Sequence, residues 1–384
     1  MKRAALAALA LGAGTTWNMS SVGSLADPTA AAYDVSLVIV GLFTGALVLT
    51  HFLVQLPAGR AADRFGARRV GVAAAAACVV GNVLAYTTPS PAVALVARAI
   101  CGLGSGAGFV AGADLMRAAG LSAVWRGAYG ASTMVGGGLA VAIVPRLEPS
   151  LDWRAPYVSG GVIAAAIAVV VAGVPSLPRV SHRTAVVLDR RLVPHGAIHA
   201  ASFGVSYLAA SWIVPLLERH GTSRGPAAAI GALVLLGGAV TRVGGGVVME
   251  RAPQLARVAL GAGLVGGTVA GALLALPLPL AIHAFATLLA GLSAGIPFAI
   301  VFGSTQLLRP DAPAAAVAFV NSFAIAFLLV ATPLAGAAFS LPGEGRIAFA
   351  AIGALCLATL PAVRAIDLGY RDAIGTKSRS SAPT

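Results

Sequence analysis

Between two long apolar runs the chain reads Gly59-Arg60-Ala61-Ala62-Asp63-Arg64-Phe65-Gly66-Ala67-Arg68-Arg69. A shorter relative of this stretch, Gly246-Val247-Val248-Met249-Glu250-Arg251, comes after an apolar run in the second half of the chain. Each copy has an acid four residues after a glycine and an arginine directly after the acid. One copy in each half predicts a duplicated membrane protein whose two copies occupy matching turns on one side of the bilayer.

The composition excludes a soluble globular protein. Of the 384 residues, 58% are hydrophobic and 10% are charged, and the mean hydropathy is +0.89. So few charged residues cannot cover the surface of a soluble protein of this size, and we therefore infer many membrane spans. The 47 glycines suit helices that pack closely in lipid. All three cysteines fall within apolar runs, so the sequence indicates neither a disulfide framework nor a metal cluster.

The net charge of +13 does not indicate a nucleic-acid-binding protein, because the basic residues are scattered among short loops. The first apolar run comes after Lys2 and Arg3 and resembles a cleaved signal peptide. We interpret it instead as the first span, because its removal would leave an odd number of spans.

Apolar runs of about 20 residues are long enough to cross a bilayer as helices. The sequence predicts twelve such spans, at residues 4–25, 35–57, 70–88, 92–115, 128–146, 156–174, 193–217, 226–248, 256–276, 279–306, 315–338 and 346–364. A polar segment, 175–192, separates the first six from the last six, and we predict a disordered tail at 365–384.

The distribution of basic residues predicts the orientation. With the N-terminus in the cytoplasm, nineteen of the 26 Lys and Arg residues lie inside and five lie outside. The remaining two, Arg98 and Arg242, fall within spans. This asymmetry obeys the positive-inside rule, so we expect both termini and the 175–192 linker to be cytoplasmic.

Three local patterns resemble the major facilitator superfamily of secondary transporters. The first is the duplicated loop, and the second is Arg98-Ala99-Ile100-Cys101-Gly102-Leu103-Gly104 in the fourth span. The third is the glycine-rich fifth span, with Gly130 and Gly136-Gly137-Gly138. The resemblance implies an all-α membrane protein of twelve transmembrane helices in two pseudo-symmetric six-helix bundles, residues 1–174 and 193–364.

The resemblance also implies a gating role for the loops. In the superfamily, an acid and arginines at these positions latch the two halves together on the cytoplasmic side. The corresponding residues here are Gly59, Asp63, Arg64, Gly66, Arg68, Asp114, Gly246, Glu250 and Arg251. Gly59 is expected to allow close approach of a neighbouring helix, and Gly66 to permit a tight turn. Alternatively, these charges only set the topology. Ala61 stands where the superfamily usually has leucine.

The first, fourth, seventh and tenth spans line the central cavity in this fold, so their polar residues are the first candidates for solute binding. The candidates that we select are Trp17, Asn18, Arg98, His199 and Tyr207, together with Gln55 and Arg242 from the second and eighth spans. Further polar side chains in these spans include Thr15, Thr16, His283 and Gln306. Singly, each serine or threonine is as well explained by hydrogen bonds to its own helix.

Arg98 and Arg242 each lie six residues from the nearer end of a predicted span. A charge within the membrane costs at least ~2.5 kcal/mol and marks a solute or ion pathway by default, although an arginine at this depth can also reach the headgroups. Arg242 and Gln55 precede Gly246 and Gly59 by four residues, so they are equivalent positions of the repeat. In nitrate/nitrite porters of the superfamily both positions hold anion-binding arginines, so the chain resembles this branch or the cyanate-type permeases.

We therefore predict a secondary transporter of the cytoplasmic membrane that moves a small solute, preferably an anion, by alternating access. A multidrug or metabolite exporter and a non-transporting receptor or assembly protein remain as alternatives. The sequence contains no phosphate loop, metal-ligand cluster or nucleophile–base set, so we expect neither an enzyme nor a cofactor. The expected partners are the solute and the lipid bilayer, with a coupled proton or ion left open, and we expect a monomer that does not bind nucleic acid.

Overall fold

A computed structural model describes residues 2–120, 123–175 and 188–369 of the chain. These residues form twelve long helical segments and no strand. The segments are α1 (Lys2–Ser20), α2 (Leu37–Phe65), α3 (Ala67–Thr87), α4 (Pro91–Ala118), α5 (Ala123–Leu151), α6 (Ala155–Ala172), α7 (Val193–His199 and Val205–Arg219, joined by the π-helical turn Ala200–Gly204), α8 (Arg224–Arg251), α9 (Ala256–Ala275), α10 (Leu280–Leu308), α11 (Pro313–Ala338) and α12 (Arg346–Ala365).

Ten stretches of the described helices are long and apolar enough to cross a membrane. One of them, Ala128–Ala172, contains most of α5 and all of α6, and α1 is not among the ten. Helix α1 nevertheless packs against α4, α5 and α6. The all-α membrane fold predicted from the sequence is confirmed, and the twelve predicted spans are consistent with these helices.

The helix contacts repeat after six helices. In the first half, α2 packs on α4, α3 packs on α4 and α6, and α1 packs on α5. In the second half, α8 packs on α10, α9 packs on α10 and α12, and α7 packs on α11. Between the halves, α2 packs on α11 and α5 packs on α8. The duplication that the loop stretch indicated is therefore present in the packing.

Glycine pairs bring the helices of each half into close contact. Gly102 and Gly106 of α4 face α2, where added Cβ atoms would overlap the carbonyl oxygens of Leu47 and His51. Gly291 and Gly295 of α10 face α8 in the same way. Helix association in lipid depends on van der Waals packing, so small residues four positions apart stabilise both contacts.

The loop stretch is more helical than the sequence predicted. Helix α2 continues to Phe65 and α3 begins at Ala67, so Gly66 alone forms the turn, with a φ of 86°. Arg68 consequently lies in the first turn of α3, not in a loop. The prediction that Gly59 allows close helix approach is wrong for this structure, because an added Cβ there would meet nothing within 4 Å.

Two local features were not predicted. A short helix, Ala26–Tyr33, connects α1 to α2, and the π-helical turn Ala200–Gly204 interrupts α7. Most of the predicted linker and the predicted disordered tail beyond residue 369 lie outside the described residues.

The described end of the linker is held by a charge cluster whose members are partly exposed. Asp189 accepts hydrogen bonds from Arg191 (Nη2–Oδ2 2.8 Å) and lies 3.6 Å from Arg309, in the α10–α11 connection. The Arg191 hydrogen bonds lower the pKa of Asp189 to about 2. The carboxylate is therefore ionised at neutral pH and can join the start of α7 to the end of α10.

Candidate solute-binding site

A cavity of about 450 Å³ lies between the two halves of the protein. Most of its lining comes from α1, α2, α4 and α5 on one side and from α7, α8, α10 and α11 on the other. Met116, Arg117 and Gln306 belong to the lining and stand within one turn of the ends of α4 and α10. The cavity therefore reaches the end of the bundle that also carries Gly66 and its neighbouring arginines.

Arg242 of α8 supplies positive charge to this cavity. Its Nη1 donates hydrogen bonds to the carbonyl of Gly130 (2.6 Å) and to the hydroxyl of Thr133 (3.0 Å), both on α5. The guanidinium carbon lies 3.7 Å from the ring centroid of Phe298. Nε has no hydrogen-bond partner among the described residues, and the described lining of the cavity includes no carboxylate. The guanidinium is thus held in place, and its Nε–H remains available as a hydrogen-bond donor.

Aromatic side chains from α7 and α10 surround this guanidinium. Phe203 lies 5.5 Å from it and packs on Tyr207, with 4.7 Å between their ring centroids. Phe298 packs on Phe302 at 4.5 Å. The buried hydroxyl of Tyr207 has no hydrogen-bond partner among the described residues. The second half therefore offers a mostly apolar wall around one cation.

The first half contributes a more polar wall. His51 of α2 shares a hydrogen bond with Ser105 of α4 (Nδ1–Oγ 2.9 Å). One turn further along α2, the buried Nε2 of Gln55 has no partner among the described residues. Tyr129 of α5 donates to the carbonyl of Phe109 (2.5 Å). His51 and Gln55 can thus present polar groups to a solute opposite Arg242.

Three of the seven predicted solute-binding residues line the cavity: Gln55, Tyr207 and Arg242. His199 lies directly behind the wall, where it bonds to Asn321 of α11 (Nε2–Oδ1 3.1 Å) and stacks on Phe203. Trp17, Asn18 and Arg98 are buried in the first half and do not line the cavity. Trp17 faces α6, where its Nε1 donates to Ser159 (3.2 Å).

Arg98 is therefore not part of this cavity, contrary to the prediction. Its side chain is 1% exposed, and Nη2 donates to the carbonyl of Asn18 (2.5 Å). Nε and Nη1 have no partner among the described residues. The side chain of Asn18 faces away from the cavity because its oxygen accepts a hydrogen bond from Asn82 of α3 (2.8 Å). Together these polar groups join α1, α3 and α4 inside the first half.

Several lining residues were missed by the sequence analysis. They are His51, Phe109, Tyr129, Thr133, Phe203, Phe298, Phe302 and Asn321. A usable signal was present in α7, where His199, Phe203 and Tyr207 recur every four residues and so share one helix face. Phe298 and Phe302 have the same spacing in α10. The same spacing relates His51 to Gln55 in α2 and Tyr129 to Thr133 in α5, whereas Asn321 is a single polar lining residue of α11.

In the described part of the chain, Asp114 and Arg64 of the predicted gating set make contacts within their own half. Asp114 is buried and pairs with Arg117 on its own helix. Arg64 lies over the ring of Phe65, 5.2 Å from its centroid. Glu250 and Arg251 are exposed and form no ion pair with the described residues. Around Gly246, as around Gly59, an added Cβ would meet nothing within 4 Å.

Arg68 has a structural contact that explains its position. Its Nη1 donates to the carbonyl of Val174, just past the end of α6 (3.1 Å). Arg257 of α9 donates to the carbonyls of Val363 and Arg364 near the end of α12, at 3.0 and 2.9 Å. A cation at a helix C-terminus satisfies free carbonyls and complements the helix dipole. The equivalent contact in each half favours a packing role for Arg68.

The opposite end of the bundle is closed by contacts between the halves. Asp27 pairs with Arg219 of α7 (2.5 Å), and Glu148 of α5 pairs with Arg224 of α8. An added Cβ at Gly336 of α11 would overlap the carbonyl oxygen of Leu37 in α2. The cavity is thus open at one end and sealed at the other.

A helical bundle with a central cavity open at one end is the architecture of a transporter that works by alternating access. The chain belongs to the Major Facilitator Superfamily, whose family model matches residues 6–327. It is accordingly a multi-pass membrane transporter. No curated protein matches the chain.

Solved structures share the fold. The nucleoside transporter NupG has a TM-score of 0.71 and 14% identity, with 95% of this chain and 99% of NupG covered. A mutant of NupG has a TM-score of 0.72 and 13% identity, with coverage of 94% and 99%. A bacterial homolog of the human lysosomal transporter Spinster, in an inward-facing and occupied conformation, has a TM-score of 0.67 and 17% identity, with 96% of each chain covered.

Proposed function

We propose that this protein is a secondary transporter that binds a small organic anion in the central cavity and carries it across the cytoplasmic membrane. Arg242 is the observation that carries the proposal, because it is a buried cation in a cavity whose described lining contains no carboxylate. An intramembrane charge without an acidic partner favours an anionic ligand. A cationic solute would be repelled at the same place.

The rest of the lining supports an organic anion over an inorganic one. The rings of Phe203, Phe298 and Phe302 stand around Arg242 and suit an apolar body attached to the negative group. Gln55 occupies the repeat position equivalent to Arg242 and also lines the cavity. The proposed site therefore includes the pair of repeat positions that hold anion-binding arginines in nitrate/nitrite porters. With Gln55 in place of a second arginine, we expect a solute with one negative charge.

The aromatic wall also favours a second candidate, an exporter of hydrophobic drugs or metabolites. The two functions differ in charge preference, and a proteoliposome assay separates them. Purified protein is reconstituted, and uptake and efflux are measured for aliphatic and aromatic monocarboxylates, nitrate, cyanate, nucleosides and a hydrophobic cationic dye. Proton and sodium gradients are imposed separately.

We expect saturable movement of a monocarboxylate above the level of protein-free liposomes. Competition by other carboxylates should exceed competition by uncharged analogues of equal size. Transport of the dye without transport of any anion contradicts the proposal and supports the exporter. The gradient that accelerates uptake identifies the coupled ion.

We further propose that the transporter consists of two six-helix bundles, residues 1–174 and 193–364, with both termini in the cytoplasm. The open end of the cavity then faces the cytoplasm, because it carries Gly66 and the arginines near it.

Single cysteines at Ser36 and Ser378 test this topology. Ser36 precedes α2 at the sealed end, and Ser378 lies in the tail. On intact cells, an impermeant thiol reagent is expected to label Ser36→Cys and to leave Ser378→Cys unlabelled. The native cysteines are buried and should give little background. Labelling of Ser378→Cys alone would show the opposite orientation.

Asp63→Asn is expected to lower turnover about tenfold without loss of folded protein. The proposed reason is that the Asp63 carboxylate stabilises the state in which the cytoplasmic end is closed, and about 1.4 kcal/mol of lost pairing gives this factor. Initial uptake rates per folded molecule provide the measurement, and Arg60→Gln, an exposed residue three positions earlier, is the control. If Asp63→Asn has the turnover of the parent protein, the charges of this loop only set the topology and have no gating role.

A further inference from the structure

A second cavity, of about 470 Å³, lies between α2, α3 and α4 and outside the central cavity. Leu103 and Phe65 line it and are 43% and 48% exposed. An apolar side chain exposed on the outer face of a membrane-spanning helix contacts lipid, so this cavity is a groove that opens to the bilayer. We refer to it as the α2–α4 groove.

Small side chains give the groove its depth. Alanines at 58 and 61 of α2 and at 73 and 77 of α3 lie along it, with the closely packed Gly104 on α4. Their spacing of three or four residues keeps each pair on one helix face. Ala61 occupies the position where the superfamily usually has leucine, and a leucine there would fill part of the groove. The second copy of the loop has the larger Val248 at this position, packed against the core.

Arg69 stands at the basic end of the groove. It belongs to the groove lining and forms no hydrogen bond or ion pair with the described residues. Its neighbour Arg68 is bonded to the carbonyl of Val174, and Arg64 lies over the ring of Phe65, which is itself part of the lining. A cation that has no partner among the described residues therefore lies at the mouth of an apolar groove that faces lipid.

We propose that the α2–α4 groove binds one anionic phospholipid, whose acyl chain occupies the apolar part and whose phosphate pairs with Arg69. The groove is lined mainly by apolar side chains, as an acyl chain requires, and the positive charge of Arg69 lies at one end, where the headgroup region is expected. Arginine binds phosphate through two parallel hydrogen bonds, and each basic residue near an anionic membrane surface contributes about 1 kcal/mol. The site is independent of the solute carried in the central cavity.

The test uses the purified full-length protein in detergent and native mass spectrometry with phosphatidylglycerol or phosphatidylcholine of identical acyl chains. We expect the tightest-bound phosphatidylglycerol to bind about fivefold more strongly than phosphatidylcholine. Arg69→Gln should abolish this preference. Arg60→Gln removes an exposed charge from the same end of α2 and should leave the preference unchanged.

Ala61→Leu tests the acyl-chain part of the groove. Leucine is the usual residue of the superfamily at this position. It should weaken the binding of both lipids by about fivefold or more, because it fills space that methylene groups of the acyl chain would otherwise occupy. Ala73→Leu approaches the same space from α3 and serves as the second variant if Ala61→Leu does not fold.

Three results would overturn the proposal. The first is equal binding of the two lipids by the parent, which is expected when lipids form only a non-specific annulus. The second is unchanged binding in both Ala61→Leu and Ala73→Leu, which is expected when another part of the chain fills the groove. A preference for phosphatidylglycerol that persists in Arg69→Gln would place the phosphate elsewhere and also contradict the site.

Discussion

Arg242→Gln is expected to lower kcat/KM for the preferred anion about 100-fold or more, while the protein remains folded and in the membrane. Hydrogen bonds to a charged group contribute roughly 1.5–3 kcal/mol, and the charge attraction in a site shielded from water is lost as well. Glutamine is neutral and shorter, so the hydrogen bonds to Gly130 and Thr133 and the contact with the Phe298 ring are also lost or weakened. Initial uptake rates in proteoliposomes measure the effect.

Arg242→Lys distinguishes charge from geometry. Lysine keeps the positive charge but loses the planar group that stacks on Phe298 and can donate two parallel bonds. We expect KM to rise about tenfold in this variant, with kcat less affected. If Arg242→Gln takes up anions as fast as the parent protein, Arg242 is not part of the binding site. The second candidate function, export of hydrophobic solutes, is then favoured.

Arg98→Gln provides the matched comparison, because Arg98 is buried to a similar degree outside the cavity. Its contact with the Asn18 carbonyl ties α4 to α1, so its loss should reduce the yield or the melting temperature of the protein. KM per folded molecule should stay near the parental value. A large increase in KM for Arg98→Gln would show that Arg98 reaches the solute in another conformation.

The contrast between these two arginines shows where sequence reasoning stops. Both lie six residues from the nearer end of a predicted span, Arg98 from the outer end and Arg242 from the cytoplasmic end, and burying a charge is costly for each. The helix face on which a side chain lies decides whether it meets the cavity or the interior of one half, and that depends on tertiary packing. Arg242 faces α5 across the boundary between the halves, whereas Arg98 faces α1 within one half.

The spans themselves could be predicted because lipid requires every backbone group in a span to be bonded internally. The same requirement does not determine the conformation of the chain beyond the last apolar residue of a span. Helix α2 continues through the charged stretch to Phe65, since Gly66 alone adopts the positive φ that ends it. The aromatic wall was visible as the four-residue spacing of His199, Phe203 and Tyr207, but an apolar stripe of this kind equally predicts helix packing.

Closure of the sealed end is expected to depend on one glycine of α11, Gly336. Gly336→Ala should lower turnover on the order of tenfold, because its Cβ would overlap the carbonyl oxygen of Leu37 and force α2 and α11 apart. Alanine is favoured over glycine in a helix by about 1 kcal/mol, so a loss of activity cannot arise from helix propensity. Separation at this contact costs roughly 1–3 kcal/mol, and that cost falls only on the state in which this end is closed.

Gly45→Ala is the control for this prediction. Gly45 lies one turn from Gly41 on α2, and an added Cβ there would meet nothing within 4 Å. In the Gly336→Ala background, a cysteine at Ser211, a buried residue beside Gly23 at the sealed end, should become more reactive toward an impermeant thiol reagent. If Ser211→Cys stays protected and turnover is parental, the α2–α11 contact is not the closure. If Ser211→Cys stays protected but turnover falls, the defect lies in folding. Gly336→Ala would then melt at a lower temperature than Gly45→Ala.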